Sequence, residues 1–170
     1  MTQNTPSYFT RIDRNLAILG GVLVGVFLLW FALALLFQDG VAGRYALLRE
    51  VHYLLSRAGL IVAGVMLAIA VYIGLIRHGD VTPWFRSATY TIFAFMLMQG
   101  LIGGVMWLMG GRPGQEVHLI YGYGVVLSLP FFIFVETTAR KRPAMGSYIW
   151  GFTLMAAIIV RTITTGPIGG

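Results

Sequence analysis

Two histidines carry most of the chemistry this sequence can offer. His52 follows Glu50 and Val51 and leads into a long apolar run, and His118 follows Glu116 and Val117 and opens another. A neutral imidazole is a good iron ligand. Two of them facing each other complete the axial coordination of a b-type haem (haem b) with no thiol or methionine. A macrocycle also needs room beside its ligands. Ser56 and Gly59 stand four and seven residues after His52, and Gly122 stands four after His118, spacings that return to the same helix face. A third apolar stretch contributes Gln99, Gly100, Gly103 and Gly104. Haem propionates call for cationic partners, and Arg57 and Arg161 are the two cations set inside apolar runs. Arg49, Arg112, Tyr121 and Tyr123 are further candidates.

Each of these residues also has a plainer reading. A histidine at headgroup level can be an interfacial polar residue. Glycines let helices approach, and Gly21/Gly25 and Gly100/Gly104 both fit the small-xxx-small spacing. Arg57 and Arg161 can snorkel or bind lipid phosphate, and Gln99 can act as interhelical glue. His78 falls in a turn on the other side and reads as a solvated loop residue, while Met96, Met98, Met106 and Met109 read as packing.

The elements that position these residues are membrane spans. The chain has 170 residues, 58% hydrophobic and 11% charged, too apolar for one soluble core. Crossing about 30 Å of hydrocarbon takes roughly 20 apolar residues, so the length admits four or five spans and no separate soluble domain. With no cysteine there is no disulfide, thiolate metal site or covalently attached c-type haem. The hydropathy pattern predicts a polar tail over 1–13 and a transmembrane bundle over 14–165, with spans at about 16–37, 51–76, 88–109, 117–135 and 148–163. The fold class expected is all-α, an antiparallel four-helix bundle plus a fifth transmembrane helix. Pro130 is expected to kink the fourth span. The first span has no small-residue cleavage pattern after it and reads as a retained signal anchor.

The net charge of +6 is a topology signal and not a nucleic-acid footprint. Arg11, Arg14, Arg77, Arg86, Arg140, Lys141 and Arg142 fall on one side, against Arg44, Arg49 and Arg112 on the other, and the positive-inside rule puts the first group in the cytoplasm. The expectation is a multi-pass protein of a bacterial inner (plasma) membrane, N-terminus cytoplasmic and C-terminus outside. His52 and His118 then each lie about one residue inside the outer end of a span. In an up-down bundle the second and fourth helices are diagonal, their axes roughly 13 Å apart.

Met98-Gln99-Gly100-Leu101-Ile102-Gly103-Gly104-Val105, followed after a Gly/Pro turn by Val117-His118-Leu119, resembles the third and fourth helices of one half of heme A synthase, and Glu50-Val51-His52 resembles the opening of that family's second helix. The likeness covers about residues 15–137. It implies that His52 and His118 are a haem-ligand pair and that Gln99 to Gly104 line the bundle beside them. The family's glutamate stands three residues before its histidine, and an arginine follows. Here Glu50 is two before and Tyr53 follows, the loop cysteines are missing, and a second half-bundle is absent.

Three functions remain open. One is a single-haem b-type cytochrome, transferring electrons or bearing haem in a larger respiratory or photosynthetic complex, with no stand-alone bond-changing activity. Another is a cofactor-free accessory subunit packed by lipids and a larger membrane partner. The third keeps the ligand but exchanges haem for a chlorophyll-type pigment. A transporter fits less well, since no inverted repeat is visible and the polar residues gather at one end.

Overall fold

The structure is a computed structural model that describes residues 8–138 and 144–166. Residues 1–7 of the expected tail and the basic run Arg140, Lys141 and Arg142 lie outside the described residues. Five helices follow one another: α1 (Tyr8–Leu36), α2 (Gly40–Val71, continued by a π-helical turn over Tyr72–Ile76), α3 (Pro83–Leu108), α4 (Val117–Thr138) and α5 (Met145–Thr165). All five are long and apolar enough to cross a bilayer, so the protein is an all-α polytopic membrane protein. There is no strand among the described residues.

The helices outrun the apolar stretches most clearly in α2, which begins at Gly40 and not near residue 51. Hydropathy marks where a chain leaves the hydrocarbon. It does not mark where the helix stops, and the polar Arg44, Arg49 and Glu50 stand among good helix formers, Ala46, Leu47 and Leu48. α1 is likewise helical from Tyr8, within the expected tail. α4 runs through Pro130 as one helix. At the end of α3, Gly110 takes φ +92°, its N–H bonding the Trp107 carbonyl and that of Gly111 the Met106 carbonyl. Only glycine adopts that conformation without strain.

The four-helix ring is α2–α3–α4–α5. α5 lies against both α2 and α4, α3 closes the other side between the same two helices, and α1 packs outside on α3 and barely meets α2. Sequence likeness places the bundle in the first four helices, but α5 takes the position expected for α1. Close packing explains the arrangement. The core of the ring is filled by Phe85, Met96, Leu129, Tyr148, Phe152 and Ile159, with Phe85 edge-on to both Tyr148 and Phe152. α1 exposes Leu19, Leu23, Leu29 and Trp30. Its one buried residue among those described, Gly20, sits against the Thr91 hydroxyl where no methyl group fits. In hydrocarbon, apolar exposure drives no association, so close packing holds the ring together and a close approach of this kind seats α1 on α3 outside it. Thr89, Ser128 and Thr153 accordingly donate to carbonyls of their own helices.

Candidate functional site

His118 is the second residue of α4, as expected, but His52 is not near the start of its helix. It lies about 18 Å along α2 from Gly40 at 1.5 Å per residue. The rings nevertheless meet, because α2 projects well past the end of α4. Their centroids are 6.3 Å apart and their planes 59° apart. The ring order makes α2 and α4 diagonal, so the imidazoles reach towards each other across the bundle, flanked by α3 and α5.

Each ring is oriented by the main chain of a flanking helix. His52 Nδ1 is 3.2 Å from the Gln99 carbonyl oxygen on α3, and His118 Nδ1 is 3.0 Å from the Thr162 carbonyl oxygen on α5. A carbonyl only accepts, so both Nδ1 atoms carry the proton and donate. In the neutral rings Nε2 is then left as the lone-pair donor. This is the arrangement by which outer partners orient metal-binding histidines. On the α2–α3 side the bond belongs to a closed loop. Gln99 Nε2 donates to Ser56 Oγ at 2.6 Å, and Ser56 Oγ donates to the His52 carbonyl at 2.9 Å. On the other side the Thr165 hydroxyl lies 3.5 Å from His118 Nδ1.

His52, His118, Gln99, Gly100, Gly122 and Thr162 surround a cavity of about 30 Å³, closed further by Met96, Val125 and Val126. A space of that size holds one water or one ion. Gln99 is buried and its Oε1 has no partner, so one polar acceptor at the cavity wall is unsatisfied. Among the described residues no three His, Asp or Glu side chains gather to hold a metal, so the donor set at this site is the imidazole pair.

The predicted residues divide accordingly. Gly100 and Gly122 line the cavity, and Ser56 braces it. Gly103 lies against His52, where an added Cβ would be 3.3 Å from the ring. Gly59 instead receives Met96, and Gly104 has nothing near it. Arg57 and Arg161 are exposed and do not line the cavity. Arg57 stacks over Tyr53 at 4.2 Å and Arg161 over Tyr121 at 5.7 Å. Arg161 immediately precedes Thr162 and shares the level of the histidines, whereas Arg57 is more than a turn away from His52. Sequence reasoning missed Thr162, whose contribution is a main-chain oxygen that no residue type announces.

A second polar cluster sits at the opposite end of the ring. Arg86 on α3 donates to Glu136 Oε1 on α4 at 2.6 Å, and the buried Tyr148 on α5 donates to Glu136 Oε2 at 3.3 Å. The Glu136 side chain is 7% exposed and that of Arg86 39%. A charge buried in a span is tolerated only when paired in this way. Two opposite charges at matching ends of adjacent spans were the available signal in the sequence.

Comparison with protein-family models, with curated proteins and with solved structures finds no match to this chain.

Proposed function

We propose that this chain is a membrane-embedded b-type haem protein, with His52 and His118 as axial ligands, serving electron transfer or carrying haem within a larger respiratory or photosynthetic complex. The observation that carries the reading is the 6.3 Å separation of two rings whose Nδ1 atoms are both committed to main-chain carbonyls. Two imidazoles bound to one metal from opposite sides, through bonds of about 2 Å, place their centroids roughly 6 Å apart. Donor chemistry, spacing and shared depth therefore fit the group. The enclosed space, about 30 Å³, is smaller than a macrocycle, so the reading requires the Met96, Val125 and Val126 side chains to move aside on loading.

Bound haem would supply a one-electron couple, and the chain would supply ligation, low dielectric and orientation. The carbonyls of Gln99 and Thr162 hold the imidazoles in one tautomer, and Ser56 and Gln99 fix α2 against α3. Arg161, level with the pair, is the better placed cation for a propionate, and Arg57 the more remote. The resemblance of these residues to one half of heme A synthase supports the same ligand assignment. The one imidazole pair among the described residues is in keeping with a carrier without stand-alone bond-changing activity. The lysine and arginine distribution supports a bacterial inner membrane protein with its N-terminus in the cytoplasm and the histidine pair near the outer surface.

The small cavity favours a second reading, a cofactor-free accessory subunit in which the imidazoles brace α2 to α3 and α4 to α5. The oxidised and dithionite-reduced absorption spectra of the detergent-purified protein separate the two. Haem predicts a reversible b-type difference spectrum at one pigment per chain. Colourless protein from haem-replete cells contradicts it, and a magnesium-containing pigment would redirect it to a chlorophyll.

A further inference from the structure

The small cavity between the imidazoles is walled by lone-pair donors. His52 and His118 spend their Nδ1 protons on main-chain carbonyls, so each ring keeps its Nε2 lone pair. Gln99 donates its amide N–H to Ser56 Oγ, which is committed in turn to the His52 carbonyl, and this leaves Oε1 as the free end of the amide. That oxygen is buried without a partner, on a residue 6% exposed. The Thr162 hydroxyl on the same wall donates to the Ile159 carbonyl. One water has two protons for the two imidazoles and the amide oxygen, whereas a cation meets all three at once. We propose that the haem-free chain binds a single cuprous ion here, ligated by both imidazoles and the Met96 thioether, with the Gln99 oxygen beside it.

The donor set selects the ion. Met96 is buried on the cavity wall, and a thioether with two imidazoles is a soft set without charge. Among the described residues no acidic side chain lines the cavity, and Glu50 and Glu116, two residues before the histidines, are exposed. Residues 167–170, which follow α5 outside the described residues, include no acidic side chain either. A divalent ion would therefore keep both charges uncompensated in hydrocarbon, and zinc calls for four ligands. Hard ions prefer oxygen donors. A monovalent ion that takes two or three nitrogen and sulfur ligands is left, which is Cu(I).

The geometry suits it. Two imidazoles bound at about 2 Å to one ion hold their centroids roughly 6 Å apart, and these stand at 6.3 Å. The cavity of about 30 Å³ admits an ion with Val125 and Val126 where they are. Only Met96 has to turn. Its Sδ lies against Gly59, 3.2 Å from where a Cβ would stand, and an unbranched thioether swings readily. The ion claims the same two nitrogens as haem iron, so copper and haem exclude each other. The inference rests on the imidazole pair of the haem reading and differs in its occupant.

The full chain is produced in cells unable to make haem, purified in detergent and titrated anaerobically with Cu(I) against the chromophoric chelator bicinchoninate, and the bound copper is examined by X-ray absorption. The expected result is one Cu(I) per chain with short nitrogen ligands and one sulfur. Met96→Leu, which keeps the core volume, should lose the sulfur and retain the nitrogens, and His52→Ala and His118→Ala should each lose the uptake. No uptake by the wild type, a wild-type site without sulfur, sulfur unchanged in Met96→Leu, uptake undiminished in both histidine variants, or Zn(II) held as tightly as Cu(I) would overturn the assignment. Copper uptake by a protein that is colourless from haem-replete cells would contradict the haem reading alone. A haem protein whose haem-free chain takes up no copper would contradict this inference alone.

Discussion

His52 and His118 come from diagonal helices, yet their rings stand 6.3 Å apart, each hydrogen-bonded through Nδ1 to the backbone of a different flanking helix. All four helices of the ring therefore meet at one level. The pair is a structural crossing point as well as a donor set, and substitutions around it separate the two roles.

The Ser56–Gln99 bond is the first test of how the pair is braced. Ser56→Ala leaves the Gln99 amide buried with neither end paired and should destabilise the protein by about 1–2 kcal/mol, the upper range for interhelical polar contacts in membranes. Gln99→Leu removes the polar group with its unsatisfied Oε1 and should cost less, because the Ser56 hydroxyl left behind still donates to the His52 carbonyl and no buried donor is orphaned. Reversible unfolding in mixed micelles compares them. A Gln99→Leu loss larger than that of Ser56→Ala would contradict the arrangement.

Gly100 and Gly122 line the same cavity but differ in what surrounds them. A Cβ on Gly100 would come within 2.7 Å of Val126 Cγ2, so Gly100→Ala should wedge α3 from α4 and cost about 1–3 kcal/mol. Pairing it with Val126→Ala should recover most of the loss. Nothing lies within 4 Å of a Cβ on Gly122, so Gly122→Ala should leave stability within about 0.5 kcal/mol of wild type. Thermal unfolding of the three variants is the check, and Gly122→Leu, which fills the cavity, should lower haem content while the chain still folds.

Arg86 and Glu136 make an asymmetric pair. Arg86→Ala abandons a carboxylate that is 7% exposed, whereas Glu136→Ala abandons a guanidinium that can still reach water. The first should cost about 3–5 kcal/mol, the figure for orphaning a buried charge, and the second clearly less. Tyr148→Phe, which removes the hydroxyl's 3.3 Å bond to Glu136 and its interaction with Arg86, should cost about 1 kcal/mol. Equal losses for the two charge deletions would mean that Glu136 is more solvated than its burial indicates.

The membrane fold was legible because hydropathy reports hydrocarbon contact directly, and the five apolar runs correspond to five helices. The ends of the helices were not, since Arg44, Arg49 and Glu50 continue α2 outside the apolar run and so place His52 deep in its helix. The choice of α5 over α1 as the fourth member of the ring was equally hidden. It depends on packing such as Phe85 against Tyr148 and Phe152, and on Gly59 receiving Met96, which no periodicity distinguishes from lipid-facing apolar sequence. At the site, residue type marked His52, His118, Gly100 and Gly122. Partners that act through main-chain atoms, such as Thr162, left no mark.

The most direct test of the haem assignment is pigment content, read as the pyridine haemochrome of purified wild type, His52→Ala and His118→Ala. One haem b per chain in the wild type, lost from both variants and restored in part by added imidazole, is the predicted result. A colourless wild type, or full haem retained by both histidine variants, would contradict it.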